Sequence, residues 1–206
     1  MKRIMPLLIL VLLPVLFISG CIQSESNTNE TPVFNQTLKY SYSFNNYEIY
    51  MKYPSNWNSK SEGLDSIFLD SNKPDFIGLT SEDITANYNK NIVAAIAMSS
   101  AEDFEFDYNY TPTDVSQLAR EDKKEAQKNG GKLLSEKNRK LNGIPAVELT
   151  FQFNNITEKH VWLLIEFNNT AEIGGAIFMT PSHDFDSQRE TFENMIKTIR
   201  ITEINV

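Results

Sequence analysis

Residues 132 to 180 read KLLSEKNRKLNGIPAVELTFQFNNITEKHVWLLIEFNNTAEIGGAIFMT, and the dipeptides Asn142-Gly143, Asn154-Asn155 and Asn168-Asn169 divide them into four runs. Gly and Asn tolerate the positive φ that two-residue hairpin turns demand. The spacing therefore predicts four strands, Lys132–Leu141, Ala146–Phe153, Lys159–Phe167 and Ile173–Thr180, joined in sequence as an antiparallel meander. In the second run Val147, Leu149, Phe151 and Phe153 alternate with Glu148, Thr150 and Gln152. A period of two with polar alternates predicts one buried face and one at least partly wet.

Outward from the meander, the period changes to that of a helix on both sides. Upstream, Pro112 and a capping Thr113 open a helix to Lys128, with Val115, Leu118, Ala119 and Ala126 as its apolar stripe and Gly130-Gly131 as its stop. Downstream, Phe185, Phe192, Met195, Ile196 and Ile199 fall on one side of a closing helix that should pack on the sheet. Nearer the start, Tyr40 to Tyr53 reads as a hairpin turned at Asn45-Asn46 and ended by Pro54, followed by short strands at Ser66–Asp70, Ile77–Ser81 and Asn91–Met98. The last is apolar almost throughout, as expected of an interior strand covered on both faces. Together these elements predict an α+β fold, an antiparallel sheet flanked by helices.

Before the domain lie two segments of other character. Lys2 and Arg3, the apolar run from Ile4 to Ile18 and the small pair Ser19-Gly20 before Cys21 have the pattern of a lipoprotein signal over residues 1–20. Cys21, the one cysteine of the chain, would carry the lipid, so the membrane is the first partner expected, at its outer face. The competing reading keeps Ile4 to Ile22 as an uncleaved anchor, and Pro14 inside the run counts against it. Residues 21–37 are polar, with too little apolar surface to offset their ordering, and are expected to form a flexible tether to a domain at 38–206.

Composition narrows the rest. Of 206 residues 41% are hydrophobic, enough for one sizeable core, and the net charge of −8 becomes more negative once Lys2 and Arg3 are removed. Such acidity disfavours nucleic acid as a partner. A lone cysteine precludes an intrachain disulfide and a multi-cysteine metal site. Sequons at Asn29, Asn35, Asn109, Asn155 and Asn168 are possible glycosylation acceptors.

Candidate chemistry is sparse. Nucleophile-elbow, His-Glu-x-x-His, phosphate-loop and dinucleotide motifs do not occur, so no cofactor and no enzymatic activity is expected. A hydrolase would have to use His160 or His183, the only histidines. His160 shares a strand face with Trp162 and Leu164 and reads as a packed imidazole. His183 opens His183-Asp184-Phe185-Asp186, where Ser182 and the acids suit capping of the closing helix better than a metal site on His183, Asp184 and Asp186. In Glu102-Asp103-Phe104-Glu105-Phe106-Asp107, a strand would align Asp103, Glu105 and Asp107 on one face. Their spacing of about 7 Å is too wide for one calcium without help from other loops, so a solvated edge is expected and a calcium-binding surface module is the alternative.

Three stretches taken in order, Ile49-Tyr50-Met51-Lys52-Tyr53-Pro54-Ser55-Asn56-Trp57, Leu141-Asn142-Gly143-Ile144-Pro145-Ala146 and the closing helix Phe192–Ile199, resemble the PsbP-like family across residues 39–203. The resemblance implies an α/β/α sandwich and a non-catalytic accessory role, docking on a larger membrane or envelope assembly. It brings no shared catalytic residues, and no metal site of the family matches this chain.

Overall fold

The computed structural model describes residues 33–41, 47–62, 66–70, 92–100, 112–167 and 170–203. In chain order its elements are β1 (Gln36–Ser41), β2 (Tyr47–Tyr53), β3 (Asn58–Glu62), β4 (Ser66–Asp70), β5 (Val93–Ser100), α1 (Val115–Lys128), β6 (Lys132–Leu141), β7 (Ile144–Phe153), β8 (Ile156–Phe167), β9 (Thr170–Pro181), α2 (Phe185–Lys197) and β10 (Arg200–Glu203). The fold is α+β, as the alternation of periods predicts.

The meander is present, antiparallel throughout. Asn142 and Gly143 have φ of 51° and 89°, the doubly positive turn that matches strand twist, and Asn154 also has φ 51°. Asn168-Asn169 lies outside the described residues, but Phe167 pairs with Thr170 on either side of it. β9 then pairs with β5, giving a seven-stranded sheet of order β3-β4-β5-β9-β8-β7-β6. β5 is interior as expected, with Val93, Ala94, Ala95, Ile96 and Met98 all buried. A second sheet of three strands, β1-β2-β10, contains the predicted first hairpin. Tyr47, Ile49, Met51 and Tyr53 of β2 are buried against the large sheet and α2.

Alternation along β7 and β8 divides the interior in two. Val147, Leu149, Phe151, Trp162 and Leu164 meet Leu118, Ala119 and Ala126 of α1. Ala146, Val161, Leu163 and Ile165 instead meet Phe192, Met195 and Ile196 of α2 and the small sheet. The large sheet therefore carries α1 on one face, and α2 with the small sheet on the other.

Several expectations are corrected. β1 begins at Gln36 and the Val33 carbonyl accepts from the Ser55 amide at 2.9 Å, so the end of the segment assigned to the tether belongs to the domain. The cap of α1 is Asp114, not Thr113; its Oδ1 accepts from the Gln117 amide at 3.0 Å, while the Gln117 side chain bonds back to Thr113. α1 does stop at the glycines: Gly130, φ 82°, and Gly131 donate to the carbonyls of Gln127 and Ala126. α2 ends at Lys197 rather than Ile199, with Thr198 donating to the Met195 carbonyl at 2.7 Å and accepting from the Lys52 amide at 2.8 Å. β3 and β10 form although neither carries the alternating pattern that predicts a strand. The face of β7 expected to be partly wet is so only at its end: Glu148 and Thr150 are buried, while Gln152 stays half-buried. The Asn45-Asn46 turn, the strand expected at Ile77–Ser81 and residues 1–32 lie outside the described residues. Among the described residues no helix is long and apolar enough to cross a membrane.

Candidate functional site

Among the described residues, buried polar chemistry is concentrated in two clusters, one on each face of the large sheet. On the α1 face, His160 is on β8 with Trp162 and Leu164, as its alternation predicts. Asp122 reaches it from α1. Both oxygens of Asp122 contact His160 Nδ1, at 3.0 and 2.9 Å, and Trp162 Nε1 donates to Asp122 Oδ2 at 2.6 Å. On the other side of the ring Nε2 is 3.0 Å from Glu158 Oε2, and the Phe151 ring packs edge-on at 5.1 Å. Burial by itself would lower the His160 pKa, but the two carboxylates outweigh it and push it up to about 10. The ring is thus an imidazolium that donates both N–H groups, with no lone pair left to take a proton at neutral pH. Glu158 Oε1 is buried without a hydrogen-bond partner.

On the α2 face, Arg139 of β6, Glu148 of β7, Lys159 of β8 and Glu193 of α2 form a closed ring of ion pairs. Arg139 Nη1 contacts Glu148 and lies 3.2 Å from Glu193; Lys159 Nζ lies 3.3 Å from Glu148 and 2.7 Å from Glu193. Burial favours a neutral Glu193, yet Lys159 and Arg139 prevail and hold its carboxyl below the usual range. Arg139 is raised for the reciprocal reason: its two carboxylates overcome the cost of burial.

Sequence reasoning singled out His160 but missed its partners. The readable signal was Asp122, which falls on the apolar stripe of Val115, Leu118, Ala119 and Ala126. A carboxylate on a buried helix face requires a cationic or donating partner. His183 is not brought to His160; it is 77% exposed, with Nε2 3.3 Å from Asp184 Oδ2. Asp184 makes no side-chain cap to α2, contrary to the capping expectation; its carboxylate lies beside His183 instead. Asp186 pairs with Arg189. Among the described residues no group of three His, Cys, Asp or Glu could hold a metal ion. Asn35 and Asn155 are exposed. Cys21, Asn29, Asn109, Asn168 and the acidic run with Asp103, Glu105 and Asp107 lie outside the described residues.

No family model and no curated protein matches this chain. Solved structures do. LpqN, involved in cell envelope biogenesis of Mycobacterium tuberculosis, matches with a TM-score of 0.55 at 12% identity, over 81% of this chain and 91% of its own. The cyanobacterial PsbP (CyanoP) of Synechocystis sp. PCC 6803 matches with a TM-score of 0.48 at 14% identity, over 89% of this chain and 100% of its own. The likeness to LpqN is one of fold alone.

Proposed function

We propose that this chain is a lipoprotein, anchored on the outer face of the cell membrane through lipid at Cys21, whose domain is a non-catalytic accessory module for a larger membrane or envelope assembly. The observation that carries the reading is the run from Ile4 to Ile18 followed by Ser19-Gly20-Cys21, the address of a lipid-modified thiol. The geometry supports the accessory half. The buried ionisable side chains around His160 and Lys159 bind one another across helix and sheet, which locks layers together rather than presenting a base or nucleophile to a substrate. The involvement of LpqN in cell envelope biogenesis supports the setting.

One chain of lipid gives only marginal membrane binding, so two or more are expected at Cys21. Metabolic labelling with a lipid precursor should mark the full-length protein, and Cys21→Ser should lose both the label and membrane retention. A mature protein that still begins at Met1, and is retained equally well with Cys21→Ser, would show that the apolar run is an uncleaved anchor. Crosslinking of the intact protein in its membrane should capture a membrane or envelope protein; recovery of the protein alone would count against the accessory role.

A further inference from the structure

On the α2 face of the large sheet, a cleft of about 460 Å³ lies between the N-terminal half of α2 and β6, β7 and β8, within the size range of small-molecule sites. Ser135, Thr150 and Gln152 line it, and none of their side chains hydrogen-bonds to another described residue. Thr150 is only 4% exposed, so its hydroxyl has little besides the cleft to turn to. Polar groups held at a concave surface without a protein partner wait for water or a ligand to satisfy them.

The charges in the cleft cancel. Lys159 is balanced by Glu193 at 2.7 Å, and Arg189 by Asp186. An anionic ligand would meet Asp186 and Glu193, and a cationic one Lys159 and Arg189. Hydroxyl groups, which both donate and accept, suit both sets of partners. An apolar edge is also supplied: the irregularity of β6 between Leu133 and Ser135 leaves Leu134 47% exposed at the cleft, which the half-buried Phe185, with Arg189 over its ring, also lines.

The geometry points to this cleft as a binding site for a neutral saccharide of roughly one or two rings, its hydroxyls on Ser135, Thr150 and Gln152 and its C–H surface on Leu134 and Phe185. The inference rests on the non-catalytic accessory role proposed above, and gives that module a ligand class, but it does not depend on the lipid anchor. The test uses the full-length protein in a polyoxyethylene detergent, which carries no sugar headgroup. Saturation-transfer NMR is recorded with glucose, mannose, N-acetylglucosamine, maltose and lactose, and with glucuronate and glucosamine as charged controls. At least one neutral sugar should bind with a Kd of about 1 mM or tighter, and more tightly than either charged control. Gln152→Ala and Ser135→Ala, both on accessible side chains, should each weaken it by about tenfold with the melting temperature unchanged. No neutral sugar bound at about 10 mM, tighter binding of a charged control, or binding indifferent to both substitutions overturns the assignment. Crosslinking to an envelope protein that persists in such a case would leave the accessory role standing without the cleft.

Discussion

His160 is a charge sealed inside the protein, and its neighbours decide when that charge exists. The folded pKa of about 10 stands above the unfolded value of 6.5. Its contribution to stability is therefore complete below about pH 6.5 and is lost as pH rises toward 10. The wild-type melting temperature should fall across that window, and His160→Gln should flatten this part of the decline. At pH 7 His160→Gln leaves Asp122 and Glu158 without their cation, a change expected to cost about 3 to 5 kcal/mol by denaturant titration. A loss below about 1 kcal/mol would mean that the carboxylates find other partners. Glu193 works at the opposite end of the scale. Its pKa is depressed, so its contribution is present above 4.5 and disappears as pH falls through the lowered folded value. Lys159→Met should remove most of that acid sensitivity and cost about 3 to 5 kcal/mol at pH 7, because the remaining cation, Arg139, cannot neutralise both Glu148 and Glu193.

At the scale of elements, the anchor of α2 is Phe192, fully buried with its ring 5.1 Å from Phe178 and 6.3 Å from Phe185. Phe192→Ala should cost about 3 to 5 kcal/mol of unfolding free energy. α1 is held to the meander at its end, where a Cβ on Gly131 would come within 2.4 Å of the Phe153 ring and 2.8 Å of the Ala126 carbonyl. Gly131→Ala should therefore destabilise by about 1 to 3 kcal/mol, with Phe153→Leu recovering part of the loss. These elements differ in how far the sequence disclosed them. The meander was readable because Asn142-Gly143 and Asn154 state their own φ, and α2 because Phe192, Met195 and Ile196 keep the helical period. β3, sequence NSKSE, carries no apolar alternation, and its strand form comes from pairing with β4. Glu148 looked like a solvent-facing residue since the chain that covers it, with Glu193, lies far downstream. The cleft shares that origin: Thr150 and Gln152 read as an ordinary wet face until α2 defines the opposite wall.

For the molecule as a whole, the small sheet ties the beginning of the domain to its end. A fragment starting at Leu38 would lose the pairings Gln36↔Tyr53 and Thr37↔Lys52, along with the Val33–Ser55 hydrogen bond. It should be less stable than one starting at Val33 by about 2 kcal/mol or more, visible as a lower melting temperature. Equal melting temperatures would place the boundary of the domain after β1 begins. The pairing of β2 with β10, Tyr50↔Arg200 through Tyr47↔Glu203, also sets a clock. A chain is made from its N-terminus at about 5 to 20 residues per second, so roughly 7 to 30 s separate the appearance of β2 from that of its last partner. Throughout that interval Ile49 and Met51, fully buried at the end, have neither α2 nor β10 to cover them. The domain cannot close while it is being made, so it stays threadable until its last strand has emerged, and depends until then on whatever keeps the apolar face of β2 from meeting another chain.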